Sequence, residues 1–153
     1  MSRLEAFGNQ LVEFHLYLRD QLDDLRDQVD ASGPVARDLR AHCLTFCQVL
    51  TTHHTGEDDG AFPVIAKHYP ELRPVLAELT RDHHLVTDAL RRLETLDELE
   101  PAERHRALDT LAALLETHFT YEEKKLLTAL NALTGNETDA EQLGRPFRRT
   151  GSD

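Results

Sequence analysis

Residues 108–133 of the chain read LDTLAALLETHFTYEEKKLLTALNAL. Apolar residues recur in this stretch at steps of three and four, which is the spacing of one face of an α-helix. Two polar residues, His118 and Glu122, occupy positions of that face where leucine would continue the pattern. The stretch therefore predicts a long amphipathic helix that directs a histidine and a carboxylate toward the protein interior.

Three earlier stretches have the same periodicity and cover residues 4–29, 35–65 and 72–93. The four patterns are separated by sequences that break helices, namely Ser32-Gly33-Pro34, Tyr69-Pro70 and Glu100-Pro101. Short connections between long amphipathic helices favour antiparallel neighbours, so the sequence predicts an all-α, up-down-up-down four-helix bundle. Pro63 lies inside the second pattern and is expected to kink that helix or end its regular part.

A histidine followed four residues later by a glutamate occurs twice, once in the second pattern and once in the fourth. Another histidine precedes each pair, in the first and third patterns, so the two halves of the chain resemble copies of each other. Residues at i and i+4 share one face of a helix, and all six residues fall on the apolar seams. We therefore expect them to face the bundle axis. The six positions are His15, His53, Glu57, His83, His118 and Glu122.

Burial of these side chains without a partner would be costly. Each buried ionised carboxylate costs several kcal/mol unless it is paired or bound to a metal, and a whole domain is stable by only about 5–15 kcal/mol. The pattern therefore predicts a metal site, with a buried histidine–glutamate hydrogen-bond network as the alternative. A register shifted by one residue would replace His83 by His84, or the first pair by His54 and Asp58; we expect His54, His84, Asp58 and Glu123 on flanking faces, in surface or supporting roles.

The residue types and their number indicate which metal would bind. Imidazole and carboxylate are ligands of iron, zinc and manganese. A structural zinc site takes four ligands, usually with cysteine, and the HExxH motif of zinc proteases does not occur in the sequence. Six nitrogen and oxygen ligands suit two octahedral ions bridged by carboxylates. Iron is the first expectation and manganese the second.

The bulk composition excludes several other classes of protein. A length of 153 residues with 40% hydrophobic and 29% charged residues suits one globular domain. The net charge of −11 argues against nucleic-acid binding, because phosphate contacts require a basic patch. No apolar stretch is long enough to span a membrane and no secretion signal precedes the first helix, so we expect a cytoplasmic protein. Cys43 and Cys47 are expected to be buried structural thiols.

Three motifs resemble those of the hemerythrin-like (HHE cation-binding) domains. HHTGEDDGAFP (53–63) is similar to the HHxxEDxxLFP signature of that family, RDHHLVTDAL (81–90) to its central segment, and HFTYEEKKLL (118–127) to its second copy. The resemblance covers roughly residues 1–133 and implies a four-helix bundle with an oxo- or hydroxo-bridged di-iron centre. It assigns the six residues above as ligands, with Glu57 and Glu122 as bridges.

The resemblance also implies three functional hypotheses. The first is binding or sensing of O₂, NO or a related small oxidant, and the second is a di-iron enzyme such as an oxidase, an oxygenase or a peroxide-consuming, catalase-like protein. The third is iron homeostasis through metal-dependent folding. Oxygen carriers of the family have a second histidine four residues after the one on the third helix, where this chain has Thr87. We expect one iron to have an open position there; whether Tyr17 points to the site is left open.

The periodicity ends at Gly135. Residues 134–153 are polar, contain glycine and proline, and are predicted to form a disordered C-terminal tail outside the bundle.

Overall fold

The computed structural model describes residues 2–3, 6–29, 35 and 37–148, and nearly all of them are helical. The helices are α1 (Phe7–Gln28), α2 (Arg37–Gly56), α3 (Phe62–His68), α4 (Arg73–Glu94), α5 (Pro101–Ala132) and α6 (Glu137–Gly144). The two-residue strands β1 (Ser2–Arg3) and β2 (Thr134–Gly135) pair antiparallel. The all-α prediction is confirmed. The breaker at Ser32-Gly33-Pro34 lies outside the described residues.

The long helices pack as a ring in which α1 contacts α2 and α5, and α4 contacts the same two helices. Helices α1 and α5 run in opposite directions. Near one end of the α1–α5 pair, the backbone N–H of Asn9 donates to Asn131 at 3.1 Å. Near the other end, Arg26 donates to Asp109 at 2.9 Å. No helix in the described ranges has both the length and the apolar content that crossing a membrane requires.

The apolar core is divided into two clusters by a layer of polar side chains. On α4, Val86, Leu90 and Leu93 belong to one cluster, whereas Leu76 and Leu79 belong to the other. His83 lies between these sets in the sequence and is itself buried. On α5, Glu122 likewise lies between Phe119 of the first cluster and Leu126 of the second. Cys43 and Cys47 are buried free thiols in the first cluster, as predicted.

A five-residue π-helical segment, Glu57–Ala61, joins α2 to α3. In this segment the backbone N–H of Phe62 donates to the carbonyl of Glu57, five residues earlier rather than four. Pro63 follows directly and has no N–H to give to the helix. The interruption predicted near Pro63 is therefore found, and it lies just before the proline. Such π segments are frequent at functional sites because one extra residue shifts the helix face.

The prediction of a disordered tail is wrong for residues 134–148, which we call the C-terminal strap. Helix α6 begins with a capping box, in which Asn136 and Asp139 accept each other's backbone N–H groups. Asp139 also contacts Lys67 Nζ at 3.2 Å and His68 Nε2 at 3.4 Å on α3. Leu143 is buried in the second apolar cluster. Composition alone could not predict these contacts, because only a few capping and apolar residues hold an otherwise polar segment in place. Residues 149–153 lie outside the described part.

Candidate metal centre

Five imidazoles and two carboxylates converge in the polar layer of the bundle, and every one is buried. They form two groups, and within each group the donor atoms lie within 4.8 Å of one another. We call them the four-residue group and the three-residue group. The four-residue group is His54, Glu57, His83 and His118. The three-residue group is His15, His53 and Glu122.

All six residues predicted from the sequence lie in these groups, on α1, α2, the π segment, α4 and α5. The seventh, His54, was expected on a flanking face, and that prediction is wrong because its side chain is only 5% exposed. Consecutive residues of a helix point about 100° apart. His53 and His54 therefore diverge from the end of α2, one into each group. His84, which a shifted register would have placed inside, is exposed.

The donor atoms that face the centre have no hydrogen-bond partner among the described residues. All five imidazole Nε2 atoms are in this condition, together with Oε1 of Glu57 and both carboxylate oxygens of Glu122. Some lie close together without hydrogen-bond geometry, as His15 Nε2 and Glu122 Oε1 do at 3.0 Å. Native proteins leave few buried polar atoms unpaired. Eight such atoms, gathered in two adjoining groups, therefore fit a site that binds electron-pair acceptors such as cations.

The opposite edge of four of these rings is fixed by hydrogen bonds. Nδ1 of His15 donates to Glu123 at 2.7 Å, and Nδ1 of His83 donates to Asp58 at 2.9 Å. Nδ1 of His118 lies 3.3 Å from Asp82. An N–H at Nδ1 leaves the lone pair on Nε2, which is the form that binds a metal. Carboxylates behind metal-binding histidines orient the rings in this manner.

Glu57 lies between the two groups. Its Oε1 is 3.1 Å from Nε2 of His83 in the four-residue group, and its Oε2 is 3.6 Å from Nε2 of His53 in the three-residue group. One carboxylate thus offers an oxygen to each side. This arrangement permits Glu57 to bridge two ions.

The sequence model of the family described as hemerythrin HHE cation binding domain matches residues 7–130. The chain belongs to this family. The match covers the helical elements that carry the two groups, nearly to the end of α5, and stops before the C-terminal strap. Comparison with curated proteins gave no significant match, and neither did comparison with solved structures.

Burial favours the neutral ring at three of the histidines of this HHE domain. Burial, reinforced by the neighbouring His15, lowers the pKa of His53 to about 3. Burial also lowers the pKa of His54 and of His118. His15 differs: burial opposes its protonation, but its contacts with Glu122 and Glu123 outweigh that effect and raise its pKa. Neutral imidazoles keep their Nε2 lone pairs free for a cation.

The two carboxylates interact strongly in the absence of a cation. Burial, and then repulsion by Glu122, raises the pKa of Glu57 well above its ordinary value. Burial opposes ionisation of Glu122 too, but its close contacts with Glu57 and His15 lower its pKa. In the absence of a cation, the pair therefore favours protonation of one of its carboxyl groups. A bound cation would release this proton.

The C-terminal strap supports His53, a member of the three-residue group. Nδ1 of His53 donates to the backbone carbonyl of Pro146 at 2.7 Å, across 93 residues of sequence. Phe147 lies beside the same histidine, with ring centroids 6.3 Å apart. Gly56 permits this approach, because a Cβ there would lie 2.6 Å from the backbone nitrogen of Pro146. This contact was not predicted from the sequence. The glycine at position 56, which leaves room for another backbone segment, was the main feature that could have indicated it.

Thr87 does not contribute to either group. It is exposed, and its hydroxyl donates to the backbone carbonyl of His83 at 2.8 Å. His54 brings a third imidazole to the side of His83 from α2, a ligand that the expectation of an open position beside Thr87 did not include. The ring of Tyr17 packs beside Phe14, with centroids 5.7 Å apart, and Phe14 in turn stacks on His53. Asp58 and Glu123 are half-buried and support histidines, as expected.

Proposed function

We propose that this HHE domain, built as an up-down-up-down bundle of the hemerythrin type, holds two iron ions and binds or senses O₂ or NO. The observation that carries the proposal is the set of eight buried donor atoms without hydrogen-bond partners among the described residues. A network without metal would pair these atoms with one another. Their convergence from five helical elements is better explained by two cations.

The two groups supply unequal ligand sets to the two ions. His54, His83 and His118 would hold one ion, and His15 and His53 would hold the other. Glu57 and Glu122 would bridge them. Five imidazoles make the set rich in nitrogen, which favours iron over the more oxygen-preferring manganese. Under this assignment the ion with two imidazoles has one protein ligand fewer.

Iron at this centre would supply exchangeable electrons and, on the side of the three-residue group, a free position for a diatomic ligand. The protein's own residues would exclude bulk water, since the side chains around the centre are buried. They would also keep the imidazoles of His53, His54 and His118 neutral at physiological pH, because burial lowers the pKa of each. Glu57 would give up its proton as the ions enter.

Metal analysis tests the dinuclear assignment. Protein loaded anaerobically with Fe(II) and desalted should contain two irons per chain. His83→Ala should reduce that number, whereas His84→Ala, an exposed neighbour on the same helix, should not. An iron content of one or zero in the wild type, or equal losses in both variants, would refute a site made of these two groups.

Gas binding tests the functional part separately. Reduced, iron-loaded protein should show a visible absorption change with O₂ or NO that reverses when the gas is removed. Irreversible oxidation by O₂, together with no response to NO, would contradict binding as the function. Rapid release of oxygen from added peroxide, abolished in His118→Ala, would support the peroxide-consuming enzyme in its place.

A further inference from the structure

A groove of about 510 Å³ lies between α4 and α5 and ends against His118. Its volume is within the range of small-ligand sites in proteins. The walls are formed mainly by apolar side chains, with two hydroxyls and one carboxylate. The apolar contacts include Leu85, Val86 and Leu114, the hydroxyls are those of Thr110 and Thr117, and the carboxylate is that of Asp82.

Leu85 gives the groove an exposed apolar wall. Its side chain is 56% exposed, the highest value among the large hydrophobic residues that are exposed in the described part of the chain. Val86 next to it is buried and forms the floor. A single exposed leucine is ordinary on a protein surface. Here it adjoins a concave site, where it can cover the apolar part of a ligand.

Asp82 places one negative charge at the end of the groove that adjoins His118. Its Oδ2 lies 3.3 Å from Nδ1 of His118, and its side chain is 40% exposed. The carboxylate thus contacts the histidine on one side and remains open to the groove on the other. Neither lysine nor arginine is among the described residues that line this groove. The net charge of −11 adds a long-range attraction for cations.

We propose that this groove binds a small protonated amine with an aryl or short alkyl body. The ammonium group donates to Asp82, and the apolar body lies against Leu85, Val86 and Leu114. Binding requires no metal, so the proposal does not depend on the proposed gas-binding function. Because Asp82 also holds His118, a bound amine contacts the support of the metal centre directly.

Fluorine NMR with three matched probes tests the proposal on the full chain. The probes are 4-fluorobenzylamine, which is a cation at neutral pH, 4-fluorobenzyl alcohol, which is neutral, and 4-fluorobenzoate, which is an anion. The amine should show a saturable shift and bind about fivefold more tightly than the alcohol, as a partly exposed ion pair predicts. The benzoate should bind most weakly. No saturable binding, or equal binding of the three probes, would overturn the proposal.

Two variants locate the site. Leu85→Ala should weaken binding of the amine and of the alcohol alike, by severalfold. Leu16→Ala, which removes a 52% exposed leucine from α1, should change the affinity for neither probe. Asp82→Asn should reduce the affinity for the amine to that for the alcohol. If the amine keeps its preference in Asp82→Asn, or if the two leucine variants behave alike, the ligand binds elsewhere and the proposal fails.

Discussion

The four-residue group and the three-residue group face each other across Glu57, but their histidines rest on different supports. His83 and His118 are held by the side chains of Asp58 and Asp82. In the three-residue group, His15 is held by the side chain of Glu123, whereas His53 is held by the backbone carbonyl of Pro146. A side-chain support can be removed by one substitution. A backbone support depends on the position of a whole segment, so the two halves should respond to different mutations.

Glu57→Ala should have the largest effect, because it removes a carboxylate that offers an oxygen to each half. We expect iron binding to be lost at both sites, with an affinity decrease of more than 100-fold, on the order of 3 kcal/mol or more. His54→Ala should instead leave about one iron per chain. Metal analysis after desalting distinguishes the two results. One retained iron in Glu57→Ala would show that the halves bind independently.

Asp58→Ala should weaken the four-residue group alone. The substitution removes the acceptor of His83 Nδ1–H, and Thr80 loses the same partner. Loss of such a support lowers metal affinity about 10- to 100-fold. Asp59→Ala is the control, since Asp59 is adjacent and exposed. Competitive titration with a chelator should show that one ion binds more weakly and that the affinity for the other is unchanged. Weaker binding of both ions would mean that Asp58 supports the whole centre.

Gly56→Ala should weaken the three-residue group by displacing the C-terminal strap. The added Cβ would meet backbone atoms of Arg145 and Pro146 at 2.6–2.8 Å, and backbone cannot rotate away as a side chain can. We expect a loss of about 1–3 kcal/mol in the free energy of unfolding and roughly tenfold weaker binding of one ion. Gly144→Ala, in the strap itself, meets no atom within 4 Å. That control should keep wild-type metal affinity in the same chelator titration, and a matching loss in both variants would argue against a specific clash.

His53 should make the metal-free protein sensitive to acid. Its folded-state pKa is about 3, below the ordinary value of about 6.5. The unfolded chain therefore binds this proton first, and the stability that His53 contributes above pH 6.5 is lost as the pH falls toward 3. His53→Gln should reduce the slope of unfolding free energy in this window by up to ~1.4 kcal/mol per pH unit. Denaturant melts at several pH values measure it, with the exposed His84→Gln as control; an unchanged slope in His53→Gln would show that His53 is already protonated in the fold.

Thr87→Ala should have the smallest effect. The hydroxyl of Thr87 contacts a backbone carbonyl of its own helix and neither group of the centre. We expect unchanged iron content and a stability change within about 0.5 kcal/mol. A clear loss of iron in this variant would show that Thr87 takes part in the centre. It would then support the original expectation of an open position on the side of His83.

Periodicity was sufficient to predict the long helices of the bundle and six of the seven converging residues. Both depend on local sequence: an apolar seam specifies which face of a helix is buried, and a histidine or glutamate on that seam must enter the core. Gly135 and the residues after it show no such seam. Their order comes from the capping box at Asn136 and from contacts with distant helices, which composition does not encode.

His54 was missed for a geometric reason. A helical seam places one inward residue in each turn, so the sequence pattern accommodates either His53 or His54 but not both. The structure uses both, because the centre has two sides and the adjacent residues diverge toward them. The π segment that follows at Glu57–Ala61 also escapes periodicity, since an extra residue per turn leaves no distinctive pattern in five residues. Paired adjacent histidines before a glutamate were the available signal.

The position of Pro146 has a consequence for the order in which the centre can be made. The four-residue group and its two supporting aspartates are all present once the chain has been synthesised to His118, before Glu122 is added. Pro146 is added after His118, and synthesis of the intervening stretch takes roughly 1–6 seconds at ribosomal speeds. The ligands of the four-residue group are therefore all in the chain before the backbone support of His53 is. The first cation to be captured during biosynthesis would enter the side of His54, His83 and His118.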